Sequence, residues 1–451
     1  MYDIGIIGAG PAGYSAAIRA AQYGLKVVLF EKKDIGGTCL NRGCIPTKSM
    51  LHSVEVFETI LSASKNGITA ENVSYDYSKI YQRKNTITDK IKKSLTQLIS
   101  GYGIEIINEE AVILSENKIS TLNYEYECKN IIIASGAEPN KIKFEGNYSE
   151  DLVMDSDDIL SKDNIAENIL IVGSGAIGIE WTRIFSGLNK KVTLVEIAEK
   201  LIPLADNEIS TRVERIFKRN RIQFYTNTSI QKIEDKTVTF TNGKELDVDC
   251  ILLATGRNAV RLNHNDFEKT ISAEKYINTD KNFKTNYENI YAIGDINGVS
   301  MLAHSAIHQA VEVIEHIKNN TESEFNKLMV PSVIYGSPEI AWIGKTEEQL
   351  IEEGIEYKKS SFPIVALGKA HADDKIEGFV KLLATDETIL GAHIVSQEAS
   401  AMIQQVAIAM QNKIKPEDIS KVIYAHPTYS EGLYESILGL DNLALHLPQA
   451  K

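Results

Sequence analysis

The sequence predicts an α/β fold with two parallel, doubly wound halves and a third, α+β domain, and three observations carry that expectation. A short apolar run, residues 2–7, leads into Gly8-Ala9-Gly10-Pro11-Ala12-Gly13 and an alanine-rich helical stretch over 14–23. The same order of strand, glycine turn and helix returns over residues 169–188. After Asn319-Asn320-Thr321-Glu322 the composition shifts, and no further glycine-rich turn occurs.

Size and charge narrow the classes. A chain of 451 residues, 43% hydrophobic, is too long for one core, and roughly two to four domains are expected. The net charge of -13 argues against nucleic acid and against a basic membrane-surface role, because either needs a cationic face. No apolar run approaches the ~18 residues that span a bilayer. The first strand begins at once, which leaves no room for a signal segment. The expectation is a soluble, cytoplasmic protein whose partners are small molecules or other proteins.

An acid at the end of the next strand supports the reading of each glycine turn. The first helix is succeeded by a strand over 26–30 that ends at Glu31, where an acid can hydrogen-bond a ribose. The glycines Gly8, Gly10 and Gly13 let a pyrophosphate lie against the helix N-terminus, whose free N–H groups and dipole favour negative charge. In the second copy, Gly173, Gly175 and Gly178 precede a helix and a strand over 191–195 that ends at Glu196. First glycine to acid has the same spacing in both, Gly8 to Glu31 and Gly173 to Glu196. Two Rossmann-like dinucleotide-binding domains are implied.

Between the copies, residues 49–61 read as a helix and 77–99 as a longer, solvated surface helix with a dense basic and polar face. Short strands come next over 104–107 and 111–114, with 118–122 and 124–128 as a hairpin. The run to Ala134-Ser135-Gly136 returns to the sheet, and Ala254-Thr255-Gly256-Arg257 closes the second half in the same way. Residues 290–295 read as a strand ending in Gly294-Asp295, with the acid where ligands bind in open α/β sheets. A helix over 302–318 comes after it. In the third domain, 331–343, 378–384 and 389–395 read as strands, 399–411 as a helix, and 432–438 as a short amphipathic helix after His426-Pro427-Thr428.

The four cysteines do not make a disulfide framework in a chain this long. Cys128 and Cys250 sit in strand-like segments as apolar filler. Cys39 and Cys44 are different: separated by four residues, they can close only a short and easily reduced loop. Lys48, one helical turn beyond Cys44, is a cation that favours a thiolate. With His52 the pair makes no zinc set, since no fourth ligand is suitably spaced, and no metal is expected.

With the cysteine segment Gly36-Gly37-Thr38-Cys39-Leu40-Asn41-Arg42-Gly43-Cys44-Ile45-Pro46-Thr47-Lys48, both glycine turns, Gly294-Asp295-Ile296, and His426-Pro427-Thr428 with Ser430-Glu431, the chain resembles the flavin-dependent pyridine nucleotide-disulfide oxidoreductases from end to end. Within them it is most similar to the members that reoxidise dihydrolipoamide. The resemblance implies FAD on residues 1–145 and 258–325, NAD on 146–257, and a dimerisation domain over 326–451 that makes a homodimer. It implies Gly8, Gly10, Gly13, Glu31, Gly37, Thr38, Lys48, Gly136, Asp295 and Ala303 toward FAD, and Gly173, Gly175, Gly178, Glu196 and Gly256 toward NAD. Cys39 would exchange with substrate, Cys44 would stand against the flavin, and Lys48 would pair with Glu180. His426, oriented by Glu431, would act on the disulfide of the other subunit. The implied partner is a lipoyl-bearing protein of a 2-oxo acid dehydrogenase or glycine cleavage system. One departure stands out: the family often has proline and asparagine after Ala-Thr-Gly-Arg, and this chain has Asn258-Ala259-Val260.

Two other readings compete. A sibling NAD(P)H-dependent reductase, such as one for glutathione, would share the cysteines, but Glu196 repels a 2'-phosphate and neither Ile197 nor Ala198 supplies an arginine for one. A non-enzymatic assembly subunit holding FAD as filler would not need the thiols and the base together.

Overall fold

The structure, a computed structural model, describes residues 1–262, 264–271 and 275–448. The chain divides into two compact units: Met1–Lys141 with Asp155–Ile165 and Gly256–Lys327, and Ile142–Met154 with Ala166–Thr255 and Leu328–Lys451.

In the first unit, parallel strands run in the order Glu105–Ile107, Val27–Phe30, Tyr2–Ile7, Glu125–Ile133, Ile290–Ala292. Alternation along these strands decides which core each side chain enters. Ile4, Ile6, Leu29 and Ile132 point to one face; Ile7, Val28, Phe30, Ile131 and Ile133 point to the other. Both faces are buried, which is why the strands read as continuous apolar runs. On the first face the helix Pro11–Gln22 packs on Ala303–Asn319, with Ala16, Ala17 and Ala20 against Ala306, Ala310 and Val313. Alanine keeps the helix axes close and the glycine turn tight against the sheet. The front half of Glu125–Ile133 also closes an antiparallel meander with Lys118–Ser120 and Val112–Ser115.

The second unit repeats the parallel pattern in the order Gln223–Tyr225, Lys191–Val195, Asn168–Val172, Cys250–Leu253, Val153–Met154. A smaller sheet of Glu245–Asp247, Thr237–Phe240, Ile230–Glu234 and Glu145–Asn147 stands beside it. The C-terminal part is an antiparallel sheet, Ser332–Ile334, Glu339–Gly344, Ile389–Ser396, Phe379–Ala384, Lys358–Pro363. The helices Ala399–Gln411 and Glu431–Gly439 fill its core with Met402, Ile403, Val406, Leu433 and Ile437.

Several expectations shift. The helix expected from residue 49 starts at Cys44, and a separate helix, Gly37–Arg42, carries Cys39. Strand Lys358–Pro363 gives no alternating apolar signal because it is a polar edge strand with only Ser360 and Phe362 buried. The strand leading to Asp295 ends at Ala292, and Asp295 lies in the tight turn Gly294–Asn297 beyond it. The long helix Tyr77–Gly101 is not simply a solvated face. Lys84 is 5% exposed and donates to the Leu160 carbonyl at 2.7 Å, and burial brings its pKa down to about 8. Of the departure Asn258-Ala259-Val260, the first two residues lie in the strand Arg257–Ala259, which forms an antiparallel ladder with Ala137–Pro139. Among the described residues, no helix is long and apolar enough to cross a membrane.

Candidate active site

The two glycine turns are built alike down to single hydrogen bonds. At the first, Glu31 accepts the Ala9 N–H and the Lys33 N–H, both at 2.8 Å. At the second, Glu196 accepts the Ser174 N–H at 2.8 Å and the Ala198 N–H at 2.9 Å. A Cβ on Gly13 would lie 1.8 Å from the Gly8 carbonyl oxygen, and one on Gly178 would lie 1.9 Å from that of Gly173, so only glycine lets each helix start this close to its strand. The helices Pro11–Gln22 and Ala176–Gly187 are entered through Gly10 and Gly175, neither of which has a side chain to cap the first N–H groups. Uncapped donors at a helix N-terminus fit a pyrophosphate. The second turn differs by Ser174, whose hydroxyl donates to Glu196 at 2.7 Å and accepts the Ile202 N–H at 3.1 Å.

The cysteine segment is pressed onto the first turn. The Gly36 N–H donates to the Ala9 carbonyl at 2.8 Å. Gly37 has φ +58, and a Cβ there would lie 2.6 Å from the Gly10 Cα. Thr38 and Cys39 come next in the short helix, and Gly43 breaks it before Cys44 opens the second. The two cysteines stand as thiols. Hydrogen bonding with Cys44, then burial and the charge of Cys44, hold the Cys39 thiol well above its ordinary range, while Lys48 pulls the other way. Cys39 is thereby held in its protonated form beside Cys44. Tyr14, in sequence only a helix residue, belongs here: burial and the charges of Cys39 and Cys44 raise its phenol pKa.

Asp295 sits above the ordinary carboxylate range through burial, with the Arg257 guanidinium opposing. Gly136 accepts the Val260 N–H at 3.0 Å, and Gly256 accepts the Asn140 N–H at 3.1 Å. Ala303 begins its helix, which again has no side-chain cap. These residues and the turn of Gly8 share the first unit. Glu180 belongs to the second unit, where it is 5% exposed and accepts the Tyr335 N–H at 3.1 Å.

The imidazole is held by its own loop. His426 Nδ1 lies 2.7 Å from Glu431 Oε1, and Glu431 Oε2 accepts the Thr428 N–H at 2.8 Å. A carboxylate only accepts, so Nδ1 carries the proton and Nε2 is left as a base. The His426 side chain is 74% exposed. Gln405 donates to the Ser430 hydroxyl at 2.7 Å, which anchors the start of the helix that carries Glu431.

A thiol pair pressed against one nucleotide turn, in a chain that carries a second, makes this a redox enzyme that moves electrons between nucleotide cofactors and a disulfide. The chain belongs to the pyridine nucleotide-disulphide oxidoreductase family, which it matches over residues 2–310, and it matches that family's dimerisation domain over 330–437. The cofactors of the family are FAD and NAD. Similar proteins include the dihydrolipoyl dehydrogenases of Mycoplasma genitalium, 34% identical with 95% of this chain and 96% of that one covered, and of Bacillus subtilis, 34% identical with 99% of each covered. That of Chlamydia muridarum is 35% identical, with 100% of this chain and 99% of its own covered. Among solved structures, LpdA of Mycobacterium tuberculosis superposes with a TM-score of 0.89 at 22% identity, covering 98% of this chain and 100% of that one. The HOCl-induced flavoprotein disulfide reductase RclA of Escherichia coli gives a TM-score of 0.86 at 24% identity, covering 97% of this chain and 99% of that one. Both likenesses concern the fold.

Proposed function

We propose that the protein oxidises protein-bound dihydrolipoamide to lipoamide and reduces NAD+ to NADH, working as a cytoplasmic homodimer on a lipoyl-bearing protein of a 2-oxo acid dehydrogenase or glycine cleavage system. The observation that carries the chemistry is the His426 Nδ1 to Glu431 contact of 2.7 Å, which leaves a base for a dithiol in a chain that also has a close thiol pair. The full-length likeness to dihydrolipoyl dehydrogenases supports the choice of dithiol.

His426 Nε2 takes a proton from one substrate thiol, and Glu431 stabilises the imidazolium. The thiolate attacks the Cys39 sulfur; a mixed disulfide forms, the Cys39–Cys44 bond breaks, and Cys44 leaves as a thiolate favoured by Lys48. The second substrate thiol, deprotonated in turn, attacks the mixed disulfide and leaves as lipoamide, so the enzyme holds the electron pair as its dithiol. FAD, when bound, would supply the hydride chemistry that links this electron pair to NAD+. Its holders would be Gly8, Gly10, Gly13, Glu31, Gly37, Thr38, Lys48, Gly136, Asp295 and Ala303, and the resemblance implies that Lys48 pairs with Glu180. Residues 1–145 and 258–325 form that domain, 146–257 the NAD domain, and 326–451 the dimer domain, which brings His426 to the partner's disulfide.

Gly173, Gly175, Gly178, Gly256 and Glu196 serve NAD. Lys200, a cation near Glu196 in sequence, is engaged with the Ala205 carbonyl and Asn207 Oδ1, both at 2.7 Å, which favours NAD over NADP. The test is anaerobic turnover of the purified protein with dihydrolipoamide and NAD+, beside glutathione disulfide with NADPH. NADH formation with the first pair is expected; activity with the second pair alone would move the protein to the glutathione-type siblings.

A further inference from the structure

The four residues between the cysteines are tied down from outside the pair. Leu40 is buried, and Asn41 Nδ2 donates to the Ile35 carbonyl at 3.0 Å and the Gly37 carbonyl at 2.8 Å. Arg42 reaches two carboxylates from different segments: Nη1 lies 2.8 Å from Asp34 Oδ2, and Nε lies 3.3 Å from Asp157 Oδ2. Each carboxylate has a second cation on its other oxygen, Lys92 at 3.2 Å from Asp34 and Arg257 at 3.5 Å from Asp157. Arg257 also donates to the Ala137 carbonyl at 2.9 Å. Arg42 is thus the middle of an alternating chain, Lys92, Asp34, Arg42, Asp157, Arg257, that joins the redox loop to the long helix and to the Arg257–Ala259 ladder. Its side chain is 27% exposed and those of the two carboxylates 35% and 24%, so each contact alone contributes little, and the network as a unit is what orders the loop.

We propose that Arg42 is a positioning residue for the redox pair: clamped by Asp34 and Asp157, it fixes the loop between Cys39 and Cys44 and sets the balance between disulfide and dithiol. The inference rests on the reading of these cysteines as the working pair. Closing a disulfide needs the two Cβ atoms within about 4 Å, and a loop ordered beforehand closes at smaller entropic cost. The planar guanidinium, with separate nitrogens for separate carboxylates, does this; an ammonium is a single point charge and holds one partner at a time.

The test is equilibration of the flavin-loaded protein with mixtures of dithiothreitol and its cyclic disulfide, followed by alkylation and mass spectrometry of the Cys39–Cys44 peptide. Dithiothreitol gives up two electrons as its own ring closes, and the protein bond opens to two thiols. Arg42→Gln is expected to shift the equilibrium roughly tenfold toward the dithiol, Arg42→Lys to shift it less, and Asp157→Asn to shift it in the same direction. A destabilised fold would lower the thermal midpoint without moving this equilibrium, so the two effects separate. Equilibrium constants within about twofold of the parent in Arg42→Gln and Asp157→Asn would overturn the proposal. If the parent pair never forms a bond, the proposal falls together with the reading beneath it; if the parent pair exchanges and the variants match it, the clamp alone falls.

Discussion

Glu431 uses both oxygens on the same task, one on His426 Nδ1 and one on the Thr428 N–H, so the acid shapes the loop and sets the tautomer together. His426→Gln should therefore slow dithiol oxidation by roughly 10²–10⁴-fold, the range for a lost general base, while NADH oxidation by an artificial electron acceptor stays close to the parent rate. Steady-state rates with both acceptors check this, and equal losses in both would mean a broken fold rather than a lost base. Cys39 and Cys44 are legible in the sequence because their chemistry lies at short spacing, whereas His426 and Glu431 are legible only through the family resemblance, since alone that segment reads as the start of a helix. Arg42, Asp157 and Arg257 are not, because a guanidinium declares its partner only when the chain brings segments a hundred residues or more apart together.

At the scale of elements, the duplicated strand, turn and helix are the proposed nucleotide sites, and their register depends on glycine where the helix passes its strand. An added methyl at Gly178 would collide with the Gly173 carbonyl oxygen at 1.9 Å. Gly178→Ala should weaken NADH binding by roughly tenfold or more, the helix having to shift away from the turn, and should leave the FAD content of the purified protein unchanged. Calorimetric titration with NADH and the flavin-to-protein absorbance ratio read the two effects; unchanged NADH affinity would contradict the role of this turn. Strand, turn, helix and acid are readable because periodicity and spacing are local properties. The helix that begins at Cys44 rather than residue 49 is not, although a proline such as Pro46 is well placed in a first turn. Lys84 misleads for the opposite reason: its charge reads as solvated, while the Leu160 carbonyl that receives it lies far along the chain.

For the whole molecule, a close cluster of buried charge lies in the second unit, where helix Asn207–Arg219 meets the C-terminal sheet. Lys381, 2% exposed, lies 2.8 Å from Asp206 and 2.6 Å from Glu347. His393 is fully buried beside them, its Nδ1 without a hydrogen-bond partner among the described residues, and burial first of all brings its pKa down to about 4. A histidine whose folded pKa lies below its unfolded value contributes stability that is complete above pH ~6.5 and is lost as the pH falls toward 4. Asp206 and Glu347, both held below the ordinary carboxylate range, add their own loss at still lower pH. Stability should therefore fall by up to about 1.4 kcal/mol per pH unit through this window, and His393→Gln should flatten that slope. Denaturant titrations of both proteins at several pH values check it; parallel slopes would remove His393 from the account.

The claim that organises the rest is that electrons pass through Cys39 and Cys44. The most direct measurement is to add dihydrolipoamide anaerobically to the oxidised protein, alkylate, and count labelled cysteines by mass before and after NAD+. Labels appearing on Cys39 and Cys44 together, with lipoamide released, and disappearing once NAD+ is added would be the predicted result. Lipoamide and NADH formed while these two cysteines stay unlabelled throughout would contradict it.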